Sequence, residues 1–197
     1  DVVFIRPRYA PAGSQTQSRA PGGFRVGAVH SRIHGHTAPI GESIPPLSGI
    51  EDARAIDDVP CWPDAQTFDF GVSEADHDRC NRRAVVARGN GALFLAACSL
   101  RGMAEMMVDL ALSPDMADAI LERVARFYRE RLRRFLDRSG ALIDVVDLGD
   151  DVAGQNGMLM SPAHWRRFVR PRLVSLISVC REFGKPPLFF GCGGYRE

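Results

Sequence analysis

The stretch from Leu142 to Gly193 constrains the fold of this chain more than any other part of it. It begins with a short apolar, β-branched run that ends at Leu148 and has no helical periodicity, which is typical of a strand buried on both faces. A glycine-containing loop and a long helical segment follow, and a second apolar strand runs from Pro187 to Phe190. The order strand, loop, helix, strand predicts an α/β fold with a parallel sheet.

Polar and small residues follow each of these two predicted strands directly. Asp150 and Asp151 follow the first strand, and Gly191-Cys192-Gly193 follows the second. The carboxyl ends of parallel strands meet at one edge of the sheet, where ligands bind in such folds. We therefore predict Asp150 and Asp151 as catalytic residues, with Gln155 in the loop as a substrate-binding residue. Neighbouring residues point in different directions, so one aspartate is expected to face the site; either could instead cap the loop or pair with an arginine.

Helix signals flank this unit. Ser161-Pro162 is expected to begin a helix with the serine as N-cap, and Pro171 is expected to divide it into two. Ser113-Pro114 begins the clearest helix of the chain, again with the serine as N-cap, and Gly140 ends it. Apolar residues recur along that helix at helical spacing, which predicts one buried face.

The opposite face of the same helix is rich in arginine. A row of arginines can bind phosphates, but acidic residues are interspersed and no aromatic residues interleave. A solvated surface is the expected interpretation, and no nucleic-acid partner is predicted. The arginines concerned are Arg123, Arg126, Arg129, Arg133, Arg134 and Arg138.

Composition narrows the class of protein further. The 197 residues carry a formal net charge of +1, which gives no general attraction to nucleic acid or membranes. The five cysteines are odd in number and have no C-x-x-C spacing, which favours a reducing compartment over a disulfide framework. No signal peptide or membrane-spanning run is visible. We expect a cytoplasmic protein with a small-molecule substrate and no membrane partner.

Several motifs occur together in the same order as in a known family. The pattern GDD-x-x-x-Q-x-G-x-x-x-SP is followed by a helix with Arg-Pro-Arg and a strand that ends in Cys-Gly. Upstream lie Pro46-Leu47, Trp62-Pro63-Asp64 and a segment that resembles LRG…MDLALxP. Over residues 40–194 the chain resembles the uroporphyrinogen decarboxylase superfamily, which includes the decarboxylase of haem synthesis and zinc-dependent methyltransferases with corrinoid or thiol partners.

The resemblance implies a (β/α)8 barrel. Such a barrel usually needs about 250 residues, so the chain is expected to be a partial barrel that lacks the C-terminal strands. Residues 1–50 are rich in Pro, Gly and Ser and are expected to form an irregular segment of short strands and loops. Residues 51–197 are expected to form the partial barrel.

The resemblance also implies a reaction. The GDD pattern is closer to the methyltransferase-like members, so methyl transfer with a corrinoid protein or a thiol is the first expectation. Cys192 then stands where these enzymes have a zinc ligand, although Phe190 replaces the usual histidine. Arg101, in the LRG motif, is expected to bind substrate.

Two alternatives stay open. The first is decarboxylation of a porphyrinogen, which needs no cofactor; that branch also has phenylalanine at the Phe190 position. The second is a barrel that binds a small molecule without catalysis. Leu95 and Phe190, both apolar where relatives are polar, favour the second alternative. The sequence does not indicate an oligomeric state.

Overall fold

The computed structural model describes residues 2–9, 45–72, 80 and 83–195. Its strands are β1 (Val2–Ile5), β2 (Arg8–Tyr9), β3 (Phe68–Asp69), β4 (Ala84–Ala87), β5 (Val145–Asp147), β6 (Ala153–Gly154), β7 (Gly157–Met158) and β8 (Pro187–Leu188). Four of them form a parallel sheet in the order β1-β4-β5-β8. The parallel α/β fold predicted from the sequence is therefore confirmed.

Helices connect the strands of this sheet. They are α1 (Leu93–Arg101), α2 (Met103–Leu112), α3 (Pro114–Ser139), α4 (Pro162–His164) and α5 (Arg170–Glu182). The described residues also form 3-10 helices at Ala53–Asp58, Ala65–Thr67 and Gly140–Leu142, and a π-helical turn at Trp165–Val169 joins α4 to α5. The chain passes through α1, α2 and α3 between β4 and β5, and through α4 and α5 between β5 and β8.

The two faces of the sheet differ because side chains alternate along each strand. Val3, Val85 and Val146 point toward the helices and are at most 2% exposed. The opposite face carries Phe4, Val86, Arg88, Asp147 and Leu188, placed together by the strand register; we call it the open face. Phe4 is 52% exposed and Leu188 is 49% exposed. The helices cover one face of the sheet, and large apolar side chains on the other remain accessible.

The first strand belongs to the same sheet as the later ones. β1 pairs with β4 along its whole length, and Leu47 is buried in the common core. The described parts of the first fifty residues therefore pack against the rest of the fold. Residues 10–44, the larger part of the expected irregular segment, lie outside the described residues.

Helix α3 has the predicted bounds and buried stripe, but its N-cap differs from the prediction. Pro114 occupies the first turn and Gly140 is the C-cap, whereas the Ser113 side chain makes no capping hydrogen bond. That part of the prediction was wrong, because Ser113 also terminates α2, where its backbone N–H donates to the Asp109 carbonyl. Ser161, in contrast, is the predicted N-cap: its hydroxyl accepts from the N–H of His164 at 3.1 Å.

The second predicted helix is divided one residue before Pro171. The π-helical turn ends at Val169 and α5 begins at Arg170, with the proline in its first turn. Pro171 has no N–H to donate, so it fits the first turn of a helix, where such donors have no intrahelical partner.

The arginine-rich face of α3 lies at the surface. Arg129 pairs with Glu122 at 2.8 Å and Arg134 pairs with Glu130 at 3.0 Å, and all four side chains are partly exposed. Arg126 and Arg133 pair with Asp57 and Glu182. These pairs agree with the predicted solvated surface. Among the described helices, none is long and apolar enough to cross a lipid bilayer.

Candidate functional site

The carboxyl ends of β5 and β8 lie side by side. Backbone pairing continues past both strands, since the N–H of Leu148 donates to Leu188 at 2.8 Å and the N–H of Asp150 donates to Phe190 at 3.0 Å. The two loops that carry Asp150-Asp151 and Cys192 are therefore held next to each other. The predicted meeting of polar residues at this edge of the sheet is observed.

Asp150 is buried and bound to the start of a helix. It is 4% exposed, and its carboxylate accepts from the backbone N–H groups of Phe94 at 2.8 Å and Leu95 at 3.1 Å. These are the second and third residues of α1, where N–H groups have no partner within the helix. Asp150 thus caps α1 from a distant part of the chain, and the positive end of the helix dipole favours its charge.

The acidity of Asp150 reflects two opposing effects. Burial raises its pKa to about 7, while hydrogen bonds from Phe94, Leu95 and Asp151 act in the other direction. The N–H of Asp151 is 3.0 Å from the same carboxylate. Asp150 therefore positions both α1 and the following residue, because its oxygens already accept from three backbone donors.

The turn before α1 needs a glycine to reach this place. A β-carbon on Gly91 would lie 2.5 Å from the backbone carbon and oxygen of Leu148, closer than non-bonded atoms approach. Only a residue without a side chain lets this turn rest on the end of β5. The contact brings the α1 N-terminus to Asp150.

Arg131 holds the same turn from the other side. It is 1% exposed, its guanidinium donates to the Gly89 carbonyl and to Asn90 Oδ1, and it lies 5.2 Å from the Tyr128 ring centroid. Burial lowers its pKa to about 10. Sequence reasoning missed this residue, although its spacing after Val124 and Tyr128 places it within the buried stripe of α3.

Asp151 faces away from α1, toward the end of β8. Its Oδ1 accepts from the backbone N–H of Cys192 at 3.1 Å. Burial and the Asp151 carboxylate raise the pKa of the Cys192 thiol, and burial, then Asp151, raises the pKa of the Tyr195 phenol. We call Asp151, Cys192 and Tyr195 the mouth cluster. It combines one hydrogen-bond acceptor with two groups that keep their protons at neutral pH.

Tyr195 owes its place to a neighbouring glycine. Its hydroxyl occupies the space that a β-carbon on Gly191 would fill, and it lies 3.5 Å from the Asp150 carbonyl oxygen. The Gly-rich turn after β8 was the sequence signal for such a close approach, but it does not indicate which side chain fills the space.

Comparison with known proteins identifies the family. The sequence matches the uroporphyrinogen decarboxylase (URO-D) family over residues 77–197, more than half of the chain. The chain belongs to this family.

Other comparisons add little to this assignment. A methyltransferase from Methanosarcina mazei has a similar solved structure, with a TM-score of 0.47 and 21% sequence identity. The alignment covers 56% of this chain and 30% of that one, so the chain spans less than a third of the methyltransferase's length. No curated protein matches the sequence.

The described residues supply only part of the zinc site that the resemblance to the methyltransferases leads us to expect. Cys192 and Asp151 supply two possible ligands, and Phe190 stands at the histidine position with its side chain 46% exposed. In the described parts of the chain no three His, Cys, Asp or Glu side chains come together as a metal-binding group. Zinc sites in proteins use three or four protein ligands, so these two residues alone do not form one.

The other two residues predicted for the site differ in their position relative to the mouth cluster, since Gln155 adjoins it through the backbone and Arg101 does not. Gln155 is exposed at the turn of the β6–β7 hairpin, where its backbone carbonyl faces Gly194. Arg101 is the last residue of α1, about 10 Å from the end that Asp150 caps. It is 8% exposed and donates to Asp109 at 2.8 Å and to the Ile50 carbonyl at 2.9 Å. In this structure Arg101 joins α1 to α2 and to the segment before them.

Proposed function

We propose that the chain forms part of a small-molecule enzyme of the URO-D family, that its parallel sheet is part of a (β/α)8 barrel, and that the mouth cluster lies at the carboxyl-terminal opening. The main support for this proposal is the partly exposed Asp151 carboxylate, which accepts a hydrogen bond from the Cys192 N–H at 3.1 Å. A carboxylate fixed by a backbone donor at a strand end is suited to accept a proton from a bound molecule.

Methyl transfer is the first proposed reaction. The acceptor is a nucleophile such as a thiol, and the methyl carrier is a corrinoid, free or bound to a partner protein. Asp151 takes the proton of the thiol, the methyl group forms a bond with the sulfur, and the bond between methyl and carrier breaks. Cys192 stays protonated beside Asp151 and orients it. The GDD-x-x-x-Q-x-G pattern, which resembles the methyltransferase-like members of the family, supports this branch.

Decarboxylation is the second candidate, and a separate observation favours it. Two protonated groups, Cys192 and Tyr195, flank the single carboxylate of the mouth cluster. In a decarboxylation the bond from carbon to the departing CO2 breaks, and the carbon then takes a proton. Either protonated group can supply that proton while Asp151 binds an N–H group of the substrate. No metal is required for this chemistry.

Two assays on the purified protein separate the candidates. Methylcobalamin with a small alkyl thiol tests methyl transfer through the change in corrinoid absorbance. Uroporphyrinogen tests decarboxylation through the loss of carboxyl groups, separated by chromatography. The variant Asp151→Asn should lower whichever rate is found by about 100-fold, the usual contribution of a positioned acid or base. The matched control is Asp137→Asn on the exposed face of α3, which should leave the rate unchanged.

Equal rates in the wild type and Asp151→Asn would contradict the role of the mouth cluster. Metal analysis of the wild type and Cys192→Ser addresses the zinc expectation separately. One zinc per chain that is lost in Cys192→Ser would mean that further ligands join Cys192. Binding of a corrinoid or porphyrinogen without turnover would favour the non-catalytic alternative.

A further inference from the structure

We propose that Arg88, paired with Asp147, forms an anion-binding subsite on the open face and takes the carboxylate of the substrate. This inference rests on the proposed function, because it assumes that the neighbouring mouth cluster acts on a small molecule. It adds a binding residue that neither the motifs nor the family resemblance indicated, and it names the chemical class of the ligand.

The strand register brings these two residues together. Val86 of β4 pairs with Val145 of β5, so Arg88 and Asp147, each two residues further along, lie side by side on the open face. Their side chains form an ion pair with Nε of Arg88 3.4 Å from Oδ2 of Asp147. The pair lies at the carboxyl ends of both strands, the edge where the mouth cluster also lies.

The guanidinium of Arg88 is fixed by its neighbours, but not all of its N–H groups have a partner among the described residues. Its Cζ lies 4.8 Å from the centroid of the Phe4 ring, and Asp147 is in turn fixed because its Oδ1 accepts from the Gly149 N–H at 2.9 Å. Within the described residues, the pair with Asp147 and the contact with Phe4 are the interactions that Arg88 makes through its side chain. Its terminal nitrogens are thus available as donors, and the side chain is 38% exposed.

The chemistry of this arrangement selects a carboxylate. A guanidinium presents parallel N–H donors that match the two oxygens of a carboxylate. Phe4 and Leu188 lie on the same face and are about half exposed, so the ligand needs an apolar or aromatic body beside its charged group. Asp151 lies four residues beyond Asp147, at most about 14 Å along an extended chain. A ligand of up to that length can bind Arg88 at one end and react at the mouth cluster with the other.

Asp147 competes with the ligand in this subsite. Its carboxylate occupies one side of the guanidinium, so a ligand carboxylate approaches a cation that is already partly neutralised. Replacing Asp147 by Asn keeps an oxygen for the Gly149 N–H and removes the charge. The substitution should therefore strengthen anion binding, by about three- to fivefold for a pair of this exposure.

The test is a titration of the purified protein with benzoate, followed through the arginine Nε–H resonances in NMR spectra. Benzyl alcohol, which has the same ring without the charge, is the matched probe. We expect benzoate to shift the Arg88 resonance in a saturable way and benzyl alcohol to leave it in place. The resonance is assigned by its loss in Arg88→Gln.

Three variants complete the test. Arg88→Gln should abolish saturable benzoate binding, measured through the backbone resonances of β4, and Asp147→Asn should strengthen it. Arg138→Gln, at an exposed position on α3, should leave it unchanged. Circular dichroism checks that each variant is folded. If Asp147→Asn is not folded, Arg88→Lys replaces it. This variant should weaken benzoate binding because the lysine ammonium lacks the planar, two-donor geometry of the guanidinium.

Equal shifts with benzyl alcohol, or benzoate binding that survives in Arg88→Gln, would overturn the proposal. So would a uniform response of all arginines, which would mean non-specific binding at high benzoate concentration. Failure of the Arg88 subsite and failure of the proposed function give different results. Benzoate binding needs no turnover, whereas the role of Asp151 is tested by the rates of methyl transfer and decarboxylation.

Discussion

Replacing Gly91 by Ala tests how the turn before α1 connects the core to the site. A β-carbon at this position would lie 2.5 Å from the carbon and oxygen of Leu148 and 2.6 Å from its Cα. Ordinary carbon contacts are about 3.5 Å, so the turn must move by about 1 Å. The atoms that it meets belong to the backbone of the strand end, which cannot rotate out of the way as a side chain can.

This movement destabilises the folded state in two ways. Overpacking of this kind costs about 1–3 kcal/mol. Displacement by about 1 Å also breaks the bonds of 2.8 and 3.1 Å from Phe94 and Leu95 to Asp150, at about 1 kcal/mol each. Gly91 is not among the described glycines with positive φ, so alanine regains about 0.5 kcal/mol by restricting the unfolded chain. The expected net loss is about 3 kcal/mol in the free energy of unfolding.

The assay is urea unfolding followed by circular dichroism, with Gly140→Ala as the control. Gly140 has a φ of −59°, and a β-carbon there would lie 3.8 Å from the Leu136 β-carbon, an ordinary contact. Gly140→Ala should therefore equal the wild type or exceed it by less than about 1 kcal/mol. If Gly91→Ala is as stable as Gly140→Ala, the close contact between the turn and β5 does not exist.

Three further outcomes follow from the same geometry. Burial raises the pKa of Asp150 to about 7 from about 4 in the unfolded chain, so its contribution to stability is present below about pH 4 and is lost as the pH rises to 7. Thermal unfolding should show the wild type losing stability over that range relative to Asp150→Asn, and parallel pH curves would contradict this. Burial and, after it, the carboxylate of Asp151 raise the pKa of Cys192. Asp151→Asn removes the second cause and should speed alkylation of that thiol by iodoacetamide at pH 7.5, measured by peptide mass spectrometry; an unchanged rate would argue against the contact. Arg101→Met leaves the buried Asp109 carboxylate without its partner and should cost about 3–5 kcal/mol of stability in urea unfolding. Benzoate binding should not change. A loss of benzoate binding with intact stability would instead place Arg101 in the site.

Much of the architecture is encoded in local patterns. The apolar stripe and the Pro114 and Gly140 boundaries of α3, the Ser161 cap and the order strand, loop, helix, strand were predicted because each depends on residues close together in the sequence. The meeting of two loops at the carboxyl edge also followed, since parallel strands leave no other arrangement.

Roles that depend on distant residues could not be predicted in this way. Ser113 and Pro114 have the same local pattern as Ser161 and Pro162, yet Ser113 does not cap its helix because it also ends α2. Arg101 belongs to a motif that suggests a ligand, but its donors are used by Asp109 and by carbonyl groups more than fifty residues upstream.

Two adjacent aspartates after a buried strand, and a cysteine after the next strand, can be read from the sequence. That Asp150 caps α1 while Asp151 accepts from Cys192 depends on how the chain packs. A carboxylate takes its role from the donors around it. Those donors come from helix and strand ends some fifty-six and forty-one residues away, which packing alone brings together.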